Sequence, residues 1–372
     1  MQKKWICLGL MSGTSGDGVD ASIISTNGIN QYESIKDKYY EYDTSIYKDI
    51  HNLKDKISKF EHLKKYSKDI DNVERKITIF HAKIIKELKI SDETIIGFHG
   101  QTIYHNPKEK TSKQLGNGKL LNQLTSKNIV YNFRNNDILN GGEGAPLTPI
   151  FHQLIAAQNN ISLPVCFLNI GGISNISIVE NRNNFLKLFS QDIGPGNCLI
   201  DSWVRKNSEK KFDLNGMLAL SGTKNQIIFE QAQELYMNRN NKKKLSFDVN
   251  DFDISFARGL NLEDGVATLT DFSGSIIGEK LDFLIKDSKL KIKKVLLCGG
   301  GRKNKVLIDK IRENLPSDIK LKNLDDLKIN GDFIESQAFA FLAIRSILKL
   351  PISFPNTTGC KMPCLGGDII KN

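Results

Sequence analysis

The chain has 372 residues, 40% hydrophobic and 25% charged, which is enough apolar content for a core in each of two domains and excludes intrinsic disorder. With 29 glycines and 9 prolines it is not collagen-like, and no apolar run approaches the roughly 20 residues that a membrane helix needs. A net charge of +10 raises nucleic acid as a partner, but 43 of the 52 basic residues are lysine, and base and phosphate recognition leans on arginine's planar fork. The densest basic run, Lys242-Lys243-Lys244, has no interleaved aromatic residues for base stacking and reads as a solvated face. Neither nucleic acid nor a membrane is an expected partner. The opening apolar run is cut by Gly13-Thr14-Ser15-Gly16-Asp17 before a signal-peptide core forms, so a cytoplasmic location is expected.

In chain order, Trp5 to Met11 and Val19 to Ser25 read as strands around a glycine-rich turn. Ser45 to Leu88 carries apolar residues at helical spacing, including Ile70, Val73, Ile77, Phe80, Ile84 and Leu88, and predicts one or two amphipathic helices. Thr94 to Phe98 is a short strand ending in His99-Gly100-Gln101-Thr102, and Ile129 to Phe133 is another ending at Arg134. Gly141 to Pro146 is the best break in the chain. Beyond it the opening pattern returns, with a strand from Val165 to Ile170, the turn Gly171-Gly172-Ile173-Ser174-Asn175, and a strand from Ile176 to Val179. This echo suggests two similar halves. Lys293 to Cys298 runs into Gly299-Gly300-Gly301, a helix follows through Ile311 to Leu315, and a last helix spans Ile334 to Leu350. Strands interleaved with helices predict an α/β fold with ligands at strand C-terminal ends, where these glycine turns fall.

Backbone N–H groups in such turns suit phosphate oxygens, although the usual P-loop and dinucleotide signatures are absent. Asp17 or Asp20 is suited to Mg²⁺, directly or through water. Asp192, ahead of Gly194-Pro195-Gly196, is either a rigidly held general base or a cap for the helix beginning near Asn197. Arg134 is either a carboxylate clamp or a strand-end arginine paired with Asp137, and His99 with Thr102 fits hydrogen bonding to a polyol. Glu335 opens a helix, where acids are favoured in any case. The six cysteines read as buried reduced thiols. Cys360 and Cys364 form a lone pair, short of the four ligands of structural zinc.

Taken together, Gly9 to Asp20, His99-Gly100-Gln101-Thr102, Asn132-Phe133-Arg134, Gly141 to Pro146, Asn169 to Asn175, Asp192 to Asn197, Gly299 to Asn304 and Glu335 resemble the anhydro-N-acetylmuramic acid kinase family. The resemblance implies duplicated actin-like (ribonuclease H-like) domains with an ATP cleft between them that closes on ligand. The expected division is 1–140 and 141–335, with 336–372 packed on the first domain. It also implies ATP and Mg²⁺, the substrate 1,6-anhydro-N-acetylmuramic acid and a homodimer. Phosphate contacts are expected from Gly13, Thr14, Ser15, Gly16, Asp17, Gly18, Val19 and Asp20, and from Gly171, Gly172 and Asn175. Gly299, Gly300 and Gly301 would face the adenosine, Asp192 would be the catalytic base, and Arg134, Thr102, His99 and Glu335 would bind the sugar. Asn132 and Glu143 depart from the aspartate and glutamine expected at these motif positions, which bears on hydrogen bonding around the sugar.

Overall fold

The opening hairpin forms as the sequence predicts, with β1 (Trp5–Ser12) antiparallel to β2 (Gly18–Thr26). β1 is buried from Cys7 onward, as a strand covered on both faces must be, and β3 (Tyr32–Glu41) extends the sheet beyond β2 with a largely exposed, polar sequence. The computed structural model describes residues 3–182, 185–238 and 246–372, so the basic run 242–244 lies outside the described residues.

On the other side of β1, β4 (Ile95–Asn106) runs parallel to it, carrying β5 (Thr111–Leu115), and β6 (Ile129–Tyr131) runs parallel to β4. β4 therefore continues through His99-Gly100-Gln101-Thr102, where the sequence suggested a strand end. The predicted amphipathic region forms helices Thr44–Lys56, Phe60–Lys65 and Ser67–Leu88. Asp43 caps the first by accepting from the Ile46 N–H, and the third buries Ile70, Val73, Ile77 and Ile84 at the expected spacing.

The second unit repeats the plan. β7 (Val165–Ile170) is central, β8 (Ile173–Arg182) and β9 (Phe185–Pro195) continue antiparallel on one side, and β10 (Lys294–Cys298) and β11 (Lys320–Asn323) lie parallel on the other. Its order β11-β10-β7-β8-β9 matches β6-β4-β1-β2-β3 of the first sheet strand for strand. The fold is thus α/β with duplicated actin-like, ribonuclease H-like domains. The helix Leu262–Asp287 covers one side of the second sheet's core, packing Ile277, Leu281, Leu284 and Ile285 with Cys166, Leu168 and Ile170.

The chain divides into a unit ending at Ile161 that also includes Phe333–Asn372, and a unit Ser162–Asp332. The division falls after the glycine-rich stretch at 141–146, not within it. The reason is the helix Pro149–Gln158, which belongs to the first unit: Phe151 stacks edge-on against Tyr32 at 4.9 Å and lies 5.7 Å from Phe341. The last strand, β12 (Asp368–Ile370), closes the first sheet antiparallel to β6.

The returning helix Ile334–Ile347 is buried along almost its whole length against β1, β2 and β4. Two strand glycines permit this approach. A Cβ on Gly9 would lie 1.8 Å from the Ser336 carbonyl oxygen, and one on Gly97 would lie 2.4 Å from that of Phe339. Gly9→Ala is expected to destabilise the protein by about 1–3 kcal/mol through forced backbone separation, read as a lower urea midpoint.

Burial also holds core histidines neutral, with His81 lowered to about 4 and His152 to about 3. Because these folded values lie below the unfolded one near 6.5, the unfolded chain takes up protons that the native chain does not as pH falls. Stability is therefore lost below about pH 6.5, by roughly 2 kcal/mol per histidine at pH 5. Urea melts from pH 7.5 to 5 should show this decline, with a shallower slope in His81→Gln.

Candidate functional site

In the first unit the loop between β1 and β2 is held from several directions. The Gly16 N–H donates to Gly13 O at 3.1 Å, and Gly16 takes φ +67°, which glycine accepts without strain. Gln101 Nε2 donates to Gly13 O at 2.9 Å, and Lys54 Nζ donates to Thr14 O at 2.6 Å. Ser15 Oγ donates to Asp17 Oδ1 at 2.5 Å, and the Tyr42 N–H donates to Asp17 O at 2.9 Å. Val19 sends its side chain into the core, leaving only its backbone to face a ligand. Burial, and after it the charges of Asp17, Glu41 and Asp20, raise the Tyr39 phenol above its ordinary range. Asp17 and Asp20 carry hard oxygen donors of the kind that Mg²⁺ takes. Lys54 and Glu41 were not singled out by the sequence, because nothing local marks them.

His99 and Arg134 meet. Leu10 pairs with Phe98 but Met11 with Gly100, so His99 is the extra residue of a β-bulge, and Gly100 takes φ +76°. The imidazole is buried, with Nδ1 2.8 Å from Gly100 O. Nε2 accepts from Arg134 Nε at 3.2 Å and from its NH2 group at 2.9 Å. A carbonyl and a guanidinium on opposite edges require the neutral Nδ1–H tautomer. Burial, and then the Arg134 charge, push the His99 pKa well below its ordinary value. Arg134 also donates to Gly144 O at 2.7 Å, while Asp137 accepts from the Gly144 N–H at 2.7 Å. Thr102 lies further along β4 and accepts from Gln114 Nε2 at 3.3 Å, and Glu335 stands in the first turn of Ile334–Ile347. Asn132 takes φ +58° and donates to Asp368 Oδ2 at 2.7 Å, so its amide serves the C-terminal strand.

In the second unit three predicted segments converge at the C-terminal ends of β7 and β10. Gly172 O accepts from the Gly196 and Cys198 N–H groups at 2.9 and 3.1 Å, and Gly171 O from that of Asn197 at 2.8 Å. The turn at 171–172 and the turn at 196–198 are therefore one structure. Gly299 and Gly301 pack against Asn169 and Ile170, where a Cβ on Gly301 would lie 2.2 Å from Ile170 Cγ2. Arg302, which the sequence gave no role, braces this glycine loop by donating to Gly299 O at 2.9 Å, to Asp325 at 2.6 and 2.9 Å, and to Asp332 at 2.5 Å.

Asp192 lies within β9. Ser174 pairs with Gly194 but Asn175 with Asp192, so a bulge at Ile193 sits directly beside it. The carboxylate is buried, and its Oδ2 accepts from the Phe247 N–H at 2.7 Å, while Asn197 takes the cap position of Cys198–Asn207. Both units thus place a candidate polar residue on or next to a bulge near a glycine turn.

The family model for anhydro-N-acetylmuramic acid kinase matches residues 5–372. The chain belongs to the anhydro-N-acetylmuramic acid kinase family. It is 54% identical over 375 residues to the anhydro-N-acetylmuramic acid kinase of Pelagibacter ubique, covering 100% of both chains. It is 32% identical to that of Agrobacterium fabrum, with 98% of each covered. Among solved structures, a glucokinase from Balamuthia mandrillaris aligns at a TM-score of 0.40 and 11% identity, covering 92% of this chain and 94% of that one. Membership in the anhydro-N-acetylmuramic acid kinase family makes the chain a phosphotransferase and implies use of ATP. No helix among the described residues is long and apolar enough to cross a membrane.

The His99 geometry has a direct readout. Ring ¹⁵N shifts should report the neutral Nδ1–H tautomer without titration down to pH 5.5, and Arg134→Ala should raise the pKa by removing the adjacent positive charge.

Proposed function

We propose that the chain opens the 1,6-anhydro bridge of 1,6-anhydro-N-acetylmuramic acid with water and phosphorylates the released O6 with ATP. The products are N-acetylmuramic acid 6-phosphate and ADP, and the step belongs to peptidoglycan recycling. The observation that carries this reading is Asp192, a buried carboxylate fixed by the Phe247 N–H beside a bulge and within the same construction as the glycine turns.

Asp192 takes a proton from a water whose oxygen bonds to the anomeric carbon while the bond from that carbon to O6 breaks. O6 then bonds to the γ-phosphorus, and ADP leaves. Gly13 to Asp20 and Gly171, Gly172 and Asn175 offer backbone donors to phosphate oxygens, and the loop Gly299–Gly301, braced by Arg302, takes the adenosine side. Asp17 and Asp20 would hold Mg²⁺, directly or through water, and the ion would supply charge neutralisation on the phosphates when bound. Arg134 binds the lactyl carboxylate, with its fork oriented by His99 and Gly144. His99, with both ring nitrogens engaged, acts as a positioning residue in place of the sugar contact that the motif implied. Thr102 and Glu335 contact the sugar.

Six free cysteines support a reducing, cytoplasmic setting. A homodimer is supported by the exposed apolar side chains gathered between residues 212 and 237, including Leu214, Met217, Leu220, Ile227 and Leu235.

The test is turnover of the anhydro sugar with ATP and Mg²⁺ in ¹⁸O-labelled water, read by mass spectrometry beside unbridged N-acetylmuramic acid. The expected product carries one ¹⁸O at the anomeric carbon, and Asp192→Asn lowers kcat by roughly 10²–10⁴-fold while retaining the native circular dichroism spectrum. Phosphorylation of the open sugar alone would overturn the hydrolytic step, and full activity of Asp192→Asn would overturn the base assignment.

A further inference from the structure

The lone pair Cys360 and Cys364 acquires a third partner in the folded chain. Asp137, on the short helix Asn135–Leu139, brings a carboxylate oxygen to them, and this oxygen and the two Sγ atoms all lie within 4.8 Å of one another. All three residues are buried, at 1%, 2% and 3% exposure. We propose that Asp137, Cys360 and Cys364 form a site for a thiophilic divalent cation, Zn²⁺ in particular, with water or the Ser353 hydroxyl completing the coordination.

The ligands are held before any ion arrives. Cys364 bridges antiparallel to Ser353, donating from its N–H to Ser353 O at 3.0 Å and accepting at its carbonyl from the Ile352 N–H at 2.8 Å. Cys360 follows the turn Pro355–Thr358, which ends at Gly359 with φ +78°. Asp137 Oδ1 accepts from Ser353 Oγ at 2.5 Å and Thr358 Oγ1 at 2.6 Å, and Oδ2 accepts from the Gly144 N–H. A carboxylate offers about four lone-pair positions, so these bonds leave one on Oδ2.

Charge argues in the same direction. The Asp137 carboxylate is solvated by hydroxyls and a backbone N–H, with no cationic side chain paired to it among the described residues. A buried anion with neutral partners favours a cation beside it. Two sulfur ligands select zinc over calcium or magnesium, which take all-oxygen sets. Thiol ligands must give up their protons to an ion, so binding releases protons and affinity rises with pH. Lys361, Met362 and Pro363, between the two cysteines in the chain, are exposed. A bound ion would tie the C-terminal tail to the turn whose Gly144 carbonyl accepts from Arg134.

The full reduced chain, loaded with Zn²⁺ or Co²⁺ and passed through gel filtration, tests the proposal. Expected are one retained metal per chain, a sulfur-to-cobalt charge-transfer band, tighter binding at pH 8 than at pH 7, and loss of all three in Cys360→Ser with Cys364→Ser. Should that variant misfold, alkylation mapping of the unaltered chain decides the matter. Zn²⁺ should protect Cys360 and Cys364 at least tenfold and leave Cys7, Cys166, Cys198 and Cys298 unchanged. Equal alkylation with and without Zn²⁺, or no retained metal after full reduction of any Cys360–Cys364 disulfide, overturns the site.

Discussion

The backbone contact between the helix Ile334–Ile347 and the strands β1 and β4 is the constraint on which the first unit depends. Helix carbonyls of Ser336 and Phe339 lie where any side chain at Gly9 or Gly97 would have to be, so this helix sits closer to its sheet than ordinary side-chain packing allows. The chain therefore runs through the whole of the second unit before its C-terminal segment returns to the first. Ser22 reinforces the closure through the Ser336 hydroxyl at 2.7 Å, and the Gln337 amide donates to both oxygens of Asp37 at 3.1 Å. These bonds span some three hundred residues of sequence, and such non-local contacts form at a substantial loop-closure cost.

Once each sheet is built, the same device aims the polar residues. A bulge interrupts regular alternation and redirects a side chain, and here one bulge contains His99 while another flanks Asp192. The neighbouring glycines let backbone groups approach one another, as where Gly171 and Gly172 receive the N–H groups of Gly196, Asn197 and Cys198. Main chain supplies a hydrogen bond to each candidate group, from His99 to Gly100 O and from the Phe247 N–H to Asp192. Arg134 and Arg302 play matching parts, since each bonds loop carbonyls and is itself held by buried or partly buried partners. Substituting lysine for either would lose the planar fork that makes several directed bonds at once.

Asp137 shows how one buried carboxylate organises a region. Its three acceptor contacts tie the Gly144 turn to Ser353 and Thr358 of the C-terminal tail, and the tail carries Cys360 and Cys364 to the same place. From sequence, Asp137 read as a possible partner for Arg134. In the fold Arg134 bonds the carbonyl of Gly144 while Asp137 accepts from its N–H, so the two charges act on one peptide neighbourhood from opposite sides.

Much of this was legible in the residues alone. The strand–turn–strand pattern, its echo after Gly171, the helical spacing from Ile70 to Leu88 and the motif set that marks the family are local signals, set by side-chain periodicity and by glycine's conformational freedom. What the residues did not reveal is set by the path of the chain through space. The extension of β4 through His99, the joining of the turns at 171 and 196, the bracing of Gly299 by Arg302 and the meeting of Asp137 with two tail cysteines all depend on contacts between distant segments. Their hydrogen bonds have no sequence periodicity to betray them. Local chemistry determined which elements form and which residues are able to act; packing alone decided which of those residues meet.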